Sequence, residues 1–173
     1  MNQAAIEQSF PIQAVSEYSA KEKNIRHGHI STLHIWWSRK PLAVSRATIY
    51  AALVPAFSDA EINAKNQFIA ELSKWENSNN QELLNQARQD ILNAHNGIAP
   101  KVLDPFSGGG SIPLEALRLG CETYANDLNP VAVLIEKATL LFPQKYGQIK
   151  TRIVKENTGG ESEQTYNPLL EDV

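Results

Sequence analysis

Cysteine is almost absent: Cys121 is the single thiol in 173 residues. One thiol makes no intrachain disulfide, which excludes a disulfide framework and any cysteine-rich zinc site. Long apolar runs are missing too, so no segment reaches the ~20 residues that a membrane-spanning helix needs. The first ten residues, Met1 to Phe10, are polar and lack the apolar core of a secretory signal. Together these absences predict a cytoplasmic protein. The charge is unevenly spread. Between Lys21 and Arg46 a single acid, Glu22, stands against Lys21, Lys23, Arg26, Arg39, Lys40 and Arg46, although the whole chain carries a formal charge of −3. A local positive field on an acidic protein fits contact with nucleic acid, and Arg26, His29 and Arg46 are the candidate contacts. The competing reading is a solvated face that touches nothing. His27, His29 and His34 share this stretch without an acid or thiol cluster beside them, so they read as hydrogen-bonding histidines and no metal is expected. From Lys155 onward the balance reverses, with Glu156, Glu161, Glu163, Glu171 and Asp172 against one base.

What is present suits one ordinary domain: 42% hydrophobic and 20% charged residues over 173 positions. Three regions divide the chain, at 1–57, 58–98 and 99–173. Residues 1–35 show no sustained period and read as irregular. Pro41 suits a first helical position, and Leu42, Ala43, Ile49, Ala52 and Leu53 make a mostly apolar helix that Pro55 ends. Ser58 and Glu61 read as a capping box. The helix beyond carries Ile62, Ile69, Leu72 and Trp75, residues 77–80 turn, and a second helix carries Leu84, Ala87, Ile91 and Leu92 before stopping at Gly97. Asn, Gln and Lys on their outer faces predict an antiparallel pair that is a surface excursion rather than part of the catalytic core.

After Pro100 the pattern changes. Lys101 to Asp104 is a strand candidate, Pro105 to Gly110 a glycine loop, and Ile112 to Leu119 a helix closed by Gly120. A second strand runs from Thr123 to Asn126 and ends at Asp127. Asn129-Pro130 opens a further helix with Val131, Leu134, Ile135 and Ala138 on its buried side. Strand, loop, helix, strand, helix is the opening of a doubly wound α/β sheet. Glycines between a strand and a helix let a ligand reach the backbone, and an acid closing the next strand accepts ribose hydroxyls. Asp127 lies 23 residues beyond Asp104, near the ~20-residue offset of a ribose-binding acid. The loop lacks the Gly-Lys-Ser/Thr ending of a P-loop, and Pro113 stands where a dinucleotide fingerprint has its third glycine. Asp104 would repel a diphosphate and attract an ammonium group. These residues specify a nucleoside with a compact charged attachment, and S-adenosylmethionine carries an ammonium, a ribose and an adenine. A glycine turn that binds nothing is the alternative.

Val102-Leu103-Asp104-Pro105-Phe106-Ser107-Gly108-Gly109-Gly110-Ser111 resembles motif I of the amino-methyltransferases, and Asp127 with Asn129-Pro130 resembles their motif II. The resemblance implies a partial Rossmann-like, class I methyltransferase fold behind an α-helical N-terminal region. It also implies that Asp104, Pro105, Phe106, Ser107, Gly108, Gly109, Gly110, Asp127 and Asn129 bind S-adenosylmethionine. The stretch from Lys21 through Trp36-Trp37-Ser38-Arg39-Lys40-Pro41-Leu42 resembles the N-terminal region of large adenine-specific DNA methyltransferases, in which a domain of unknown function precedes motif I. Such enzymes serve restriction-modification or defence against phage. By that resemblance Trp37, Arg39, Lys40 and Pro41 close the methionine end of the pocket, DNA is the partner, and N6 of adenine receives the methyl group. A core position for Trp36 and Trp37, with Arg39 and Lys40 solvated, is the plainer reading. A cytosine-N4, RNA or small-molecule methyltransferase, or a non-catalytic cofactor- and DNA-binding subunit, are the other functional readings.

The resembled family transfers the methyl group with a [DNS]-P-P-[YFW] motif, and this chain has none. Asn167-Pro168-Leu169-Leu170 lacks both the second proline and the aromatic residue. No catalytic residue is therefore assigned. Two parallel strands do not complete a sheet buried on both faces, so further chain or a second polypeptide is expected to finish it. The 173-residue chain alone is expected to show no turnover. Transfer of radiolabelled methyl groups to unmethylated DNA checks this, and clear incorporation by the chain alone would overturn it.

Overall fold

The computed structural model describes residues 3–25, 30–32, 34–155 and 161–166. The sequence readings at His27, Gly159-Gly160 and Asn167 to Leu170 lie outside them. The N-terminal half is helical: α1 (Ala5–Gln8), α2 (Ile12–Lys23), a 3-10 turn at Ile30–Thr32, α3 (Leu42–Leu53), α4 (Ile62–Ser73), a second 3-10 turn at Trp75–Asn77, and α5 (Gln81–Ala94). Strands and helices then alternate as β1 (Lys101–Asp104), α6 (Ser111–Arg118), β2 (Glu122–Ala125) and α7 (Pro130–Glu136). A π turn at Lys137–Leu141 and α8 (Phe142–Tyr146) extend α7, and β3 (Lys150–Lys155) pairs antiparallel with β4 (Glu161–Tyr166). β1 and β2 are parallel, with Leu103 opposite Tyr124 and Asp104 opposite Ala125. The fold is mixed α/β, mostly helical, with a small parallel sheet. Among the described residues no helix is long and apolar enough to cross a membrane.

The expected irregular start is instead ordered by α2. Its inward positions are Val15, Ser19 and Glu22, so a serine and an acid break the apolar period that would betray a helix. Each has a partner. Ser19 Oγ donates to the Val15 carbonyl at 2.7 Å. Glu22 accepts the backbone N–H of Leu42 at 2.9 Å and of Ala43 at 2.8 Å. These are orphan donors in the first turn of α3, so α3 is capped from α2 rather than by a residue beside it. Val54 ends α3 in an extended conformation, as a residue before proline must.

α3 lies at the centre. Ala47, Ile49, Tyr50 and Ala51 join Val15 of α2, Ile69 and Leu72 of α4, Leu84, Ala87 and Ile91 of α5, and Ala116 of α6 in one buried cluster. The two helices expected as a surface excursion from the catalytic core supply hydrophobic core, because their apolar stripes turn onto α3 while their Asn and Gln faces meet water. Half of the expected capping box precedes α4: the Glu61 carboxylate accepts the Ser58 backbone N–H, but the Ser58 hydroxyl donates to that carboxylate rather than accepting a backbone N–H. Asn80 caps α5 by accepting from the N–H groups of Glu82 and Leu83. Cys121, just before β2, is buried, and burial pushes its thiol up to about 11. On α7 the expected buried face is wrong. Ala132, Glu136 and Leu140 turn inward, whereas Val131 and Leu134 are 45% and 63% exposed and Ala138 is exposed. Glu136 has a hydrogen-bond partner inside, which sets the rotation of the helix. Pro143 follows the π turn; proline supplies no backbone N–H, and a register change of this kind accommodates it.

The candidate nucleic-acid contact Arg46 is corrected by burial. It is 1% exposed; its Nε donates to Glu115 at 2.7 Å and its Nη1 to the Leu72 carbonyl at 2.9 Å. Arg118 closes on the other Glu115 oxygen at 3.1 Å. A guanidinium so enclosed reaches no phosphate. Removing one partner of such a pair leaves an uncompensated charge in the core, so Arg46→Ala is expected to cost about 3–5 kcal/mol, read as a lower midpoint in denaturant unfolding.

Candidate functional site

The loop between β1 and α6 takes its shape from backbone conformations that side chains disfavour. Gly108 has φ +52° and Gly110, the residue before α6, has φ +75°. Ser107 ties the loop to the neighbouring strand through its N–H, which donates to the Asn126 carbonyl at 3.1 Å. Gly110 N–H returns to the Ser107 carbonyl at 2.8 Å, closing the turn. Asp104 accepts from the Phe106 N–H at 3.2 Å.

Asp127 sits across from this loop at the end of β2. One carboxylate oxygen accepts the Gly108 N–H at 2.8 Å and the other accepts the Asn129 N–H at 2.8 Å. These backbone donors, Asn129 first and then Gly108, hold its carboxyl below the ordinary range. A carboxylate accepts roughly four hydrogen bonds, so two N–H donors leave room for hydroxyl groups. Asn129 caps α7, its side chain accepting from the Val131 N–H at 2.9 Å.

The N-terminal region reaches the loop through Trp36. A Cβ on Gly108 would lie 2.6 Å from Trp36 Nε1, and one on Gly109 would lie 3.2 Å from Trp36 Cβ. The indole therefore rests on the glycine backbone. Trp37, the tryptophan assigned to the pocket from sequence, stacks on Trp36 with centroids 5.0 Å apart and is 83% exposed. It stands one ring away from the loop. Arg39 passes Gly109, its Cγ 3.7 Å from where a Cβ would be, but its guanidinium is bound to Glu22 at 3.1 Å. Lys40 is exposed and Pro41 is buried. Both line an open cavity of ≈ 940 Å³ with Lys23, Ile35 and the two tryptophans, on the α2 side of Trp36. Pro105 and Phe106 are exposed on the loop. Arg26 and His29 lie outside the described residues.

Of the sequence candidates, then, Asp104, Ser107, Gly108, Gly109, Gly110 and Asp127 come together, with the stem of Arg39 beside them. Lys40 and Pro41 face the neighbouring cavity instead. Two participants escaped the sequence reading. Trp36 was visible only as half of a tandem pair whose facing cannot be read from spacing. Glu136 is 6% exposed, and the Ser107 hydroxyl is hydrogen-bonded to its carboxyl group. Its one sign in the sequence is an acid interrupting the apolar run of α7. Asp104, Asp127 and Glu136 do not form a metal site, since no three His, Cys, Asp or Glu groups among the described residues are arranged to hold an ion.

Residues 9–78 match the family model described as Protein of unknown function (DUF1156). The matched segment carries Trp36, Trp37, Arg39 and Arg46 and ends ahead of β1, so the glycine loop lies beyond it. No curated protein and no solved structure matches the chain.

The contact between Trp36 and Gly108 makes a checkable demand. Gly108→Ala adds a methyl group where the indole sits and forces a left-handed alanine, at a cost of about 1–3 kcal/mol. Trp36→Ala is expected to relieve part of that penalty in a double-mutant cycle, and additive penalties would show that the two do not touch.

Proposed function

We propose that residues 101–136 bind S-adenosylmethionine, and that the chain serves as the cofactor-binding part of a DNA adenine-N6 methyltransferase with a Rossmann-like sheet. The observation that carries this reading is Asp127. Its carboxylate is kept ionised and aimed by the Gly108 and Asn129 N–H groups, with lone pairs left for two ribose hydroxyls. Three features support it. Asp104 and Asp127 close adjacent parallel strands, the position at which open α/β sheets take nucleosides. The carboxylates around the loop suit a ligand with ammonium and sulfonium charges and disfavour a diphosphate. Trp36 offers a flat apolar wall directly on the loop.

When bound, S-adenosylmethionine supplies the methyl group. The residues of this chain bind and orient: Asp127 would hold the ribose, Asp104 would draw the ammonium end, and Trp36 would exclude water from the loop side. Arg39 would orient the loop through its stem rather than through its guanidinium, which Glu22 holds. For DNA, Lys23, Trp37 and Lys40 take the place of Arg46 as candidate contacts. All three border the cavity beside Trp36, where cationic and aromatic groups fit a phosphate backbone and an unstacked base.

A nuclear magnetic resonance titration of the chain with S-adenosylmethionine tests the reading and detects weak binding. The expected result is movement of the Gly108 to Gly110 amide signals, at least roughly tenfold weaker in Asp127→Ala, corresponding to about 1.4 kcal/mol. Equal response to ATP, or none to millimolar S-adenosylmethionine, would overturn it.

A further inference from the structure

Glu136 occupies an unfavourable place for a carboxylate. It is 6% exposed, and among the described residues no lysine or arginine is paired with it. The groups around it come from every element of the site. From the loop come Ser107 and Gly110, whose missing Cβ would lie 3.7 Å from Glu136 Cγ. From the ends of β1 and β2 come the like charges of Asp104 and Asp127. From the π turn come Leu140 and Thr139, whose hydroxyl donates to Ile135. Lys137, next in sequence, is exposed, and with Cys121 and Glu122 at β2 it lines the open cavity that Glu136 also borders. Arg39 lines the small cavity with Ile135 and Thr139 but is bound to Glu22.

Counting protons at Ser107 favours one form of Glu136. The Ser107 Oγ has two oxygen neighbours, the Asn126 carbonyl at 3.1 Å and Glu136 Oε1. A hydroxyl has one proton to donate. If that proton goes to an ionised Glu136, the Asn126 carbonyl keeps the Ser107 N–H, but the contact between it and the Ser107 Oγ has no proton. If Glu136 keeps its own proton, each contact has a donor. Glu136 then donates to Ser107, Ser107 donates to Asn126, and no uncompensated charge is buried. Asn126 in turn donates its N–H to the Asp104 carbonyl at 3.0 Å, and Asp127 is the next residue.

We propose that Glu136 is a positioning residue that works as the neutral acid, its proton fixing the glycine loop against the strand end that carries Asp127. This deepens the proposed cofactor site and rests on it for the ligand, while the hold on the loop belongs to the chain itself. Burial pushes the carboxyl up, the Ser107 hydrogen bond pulls it down, and Asp127 and Asp104 push it further up. The folded value thus lies above the ordinary one. The hold is complete below the ordinary glutamic acid range and is lost as pH rises through the raised value.

The test follows the Gly108 and Gly110 amide signals of the full chain, and the Glu136 side-chain carbonyl, from about pH 4 to about pH 9. The expected result is a step in both, above the ordinary glutamic acid range. Glu136→Gln, neutral and still a donor, should keep the low-pH spectrum throughout and abolish the step. Glu136→Ala should displace the loop at every pH; if it does not fold, the wild-type and Gln titrations decide alone. A step that survives in Glu136→Gln, or a carboxyl that titrates in the ordinary range, overturns the proposal. Added S-adenosylmethionine separates the two readings. Affinity that falls roughly tenfold across the step in wild type but not in Glu136→Gln supports both. An intact step with no response to the compound supports the role of Glu136 and removes the nucleoside.

Discussion

The ion pair between Arg46 and Glu115 fixes how the two halves of this chain meet. Arg46 stands on α3, Glu115 on α6, and both are essentially closed to solvent. A buried pair contributes little net stability over well-packed apolar groups, but it is intolerant of misalignment, because either charge alone in the core is costly. α6 is therefore docked on α3 in one orientation. The glycine loop leads into α6, and Trp36 precedes α3 by a few residues. Docking the helices thus also brings the indole onto the loop.

Three acids do unusual work in this arrangement. Glu22 acts outside its own helix, taking the first N–H groups of α3 and the Arg39 guanidinium together. Glu115 gathers Arg46 and Arg118. Among the described residues Glu136 gathers no cation, and it takes a hydroxyl instead. The basic stretch that draws attention in the sequence is thereby partly neutralised from within, and among its described residues Lys21, Lys23 and Lys40 are the exposed charges. The glycines also answer to the protein itself. Gly108 and Gly109 are bare because an indole lies on them, whatever else the loop admits.

The parts legible in the sequence are those set by local chemistry. β1, the glycine loop, α6 with Gly120 after it, β2 and the Asn129-Pro130 start of α7 all appear within a residue or so of their expected places. Each is marked by a turn residue, a cap or a short apolar strand. What was hidden depends on partners distant in the chain. α2 was missed because its inward face carries Ser19 and Glu22, which become sensible only once Val15 and the start of α3 are beside them. Arg46 reads as a nucleic-acid contact in the sequence because nothing local announces Glu115. The rotation of α7 was misjudged because Ser107, well upstream, decides which way Glu136 points. The facing of Trp36 and Trp37 is hidden for the same reason on a smaller scale, since neighbouring residues in a turn differ only in what they face.

Cys121 gives the molecule a practical property. Its thiol is enclosed, and burial holds it protonated at neutral pH, and only the thiolate is nucleophilic. The native chain therefore presents a chemically quiet background to maleimide reagents. A cysteine introduced at an exposed site such as Phe106 or Trp37 would be the one position to accept a spin label or fluorophore, without first removing the natural thiol.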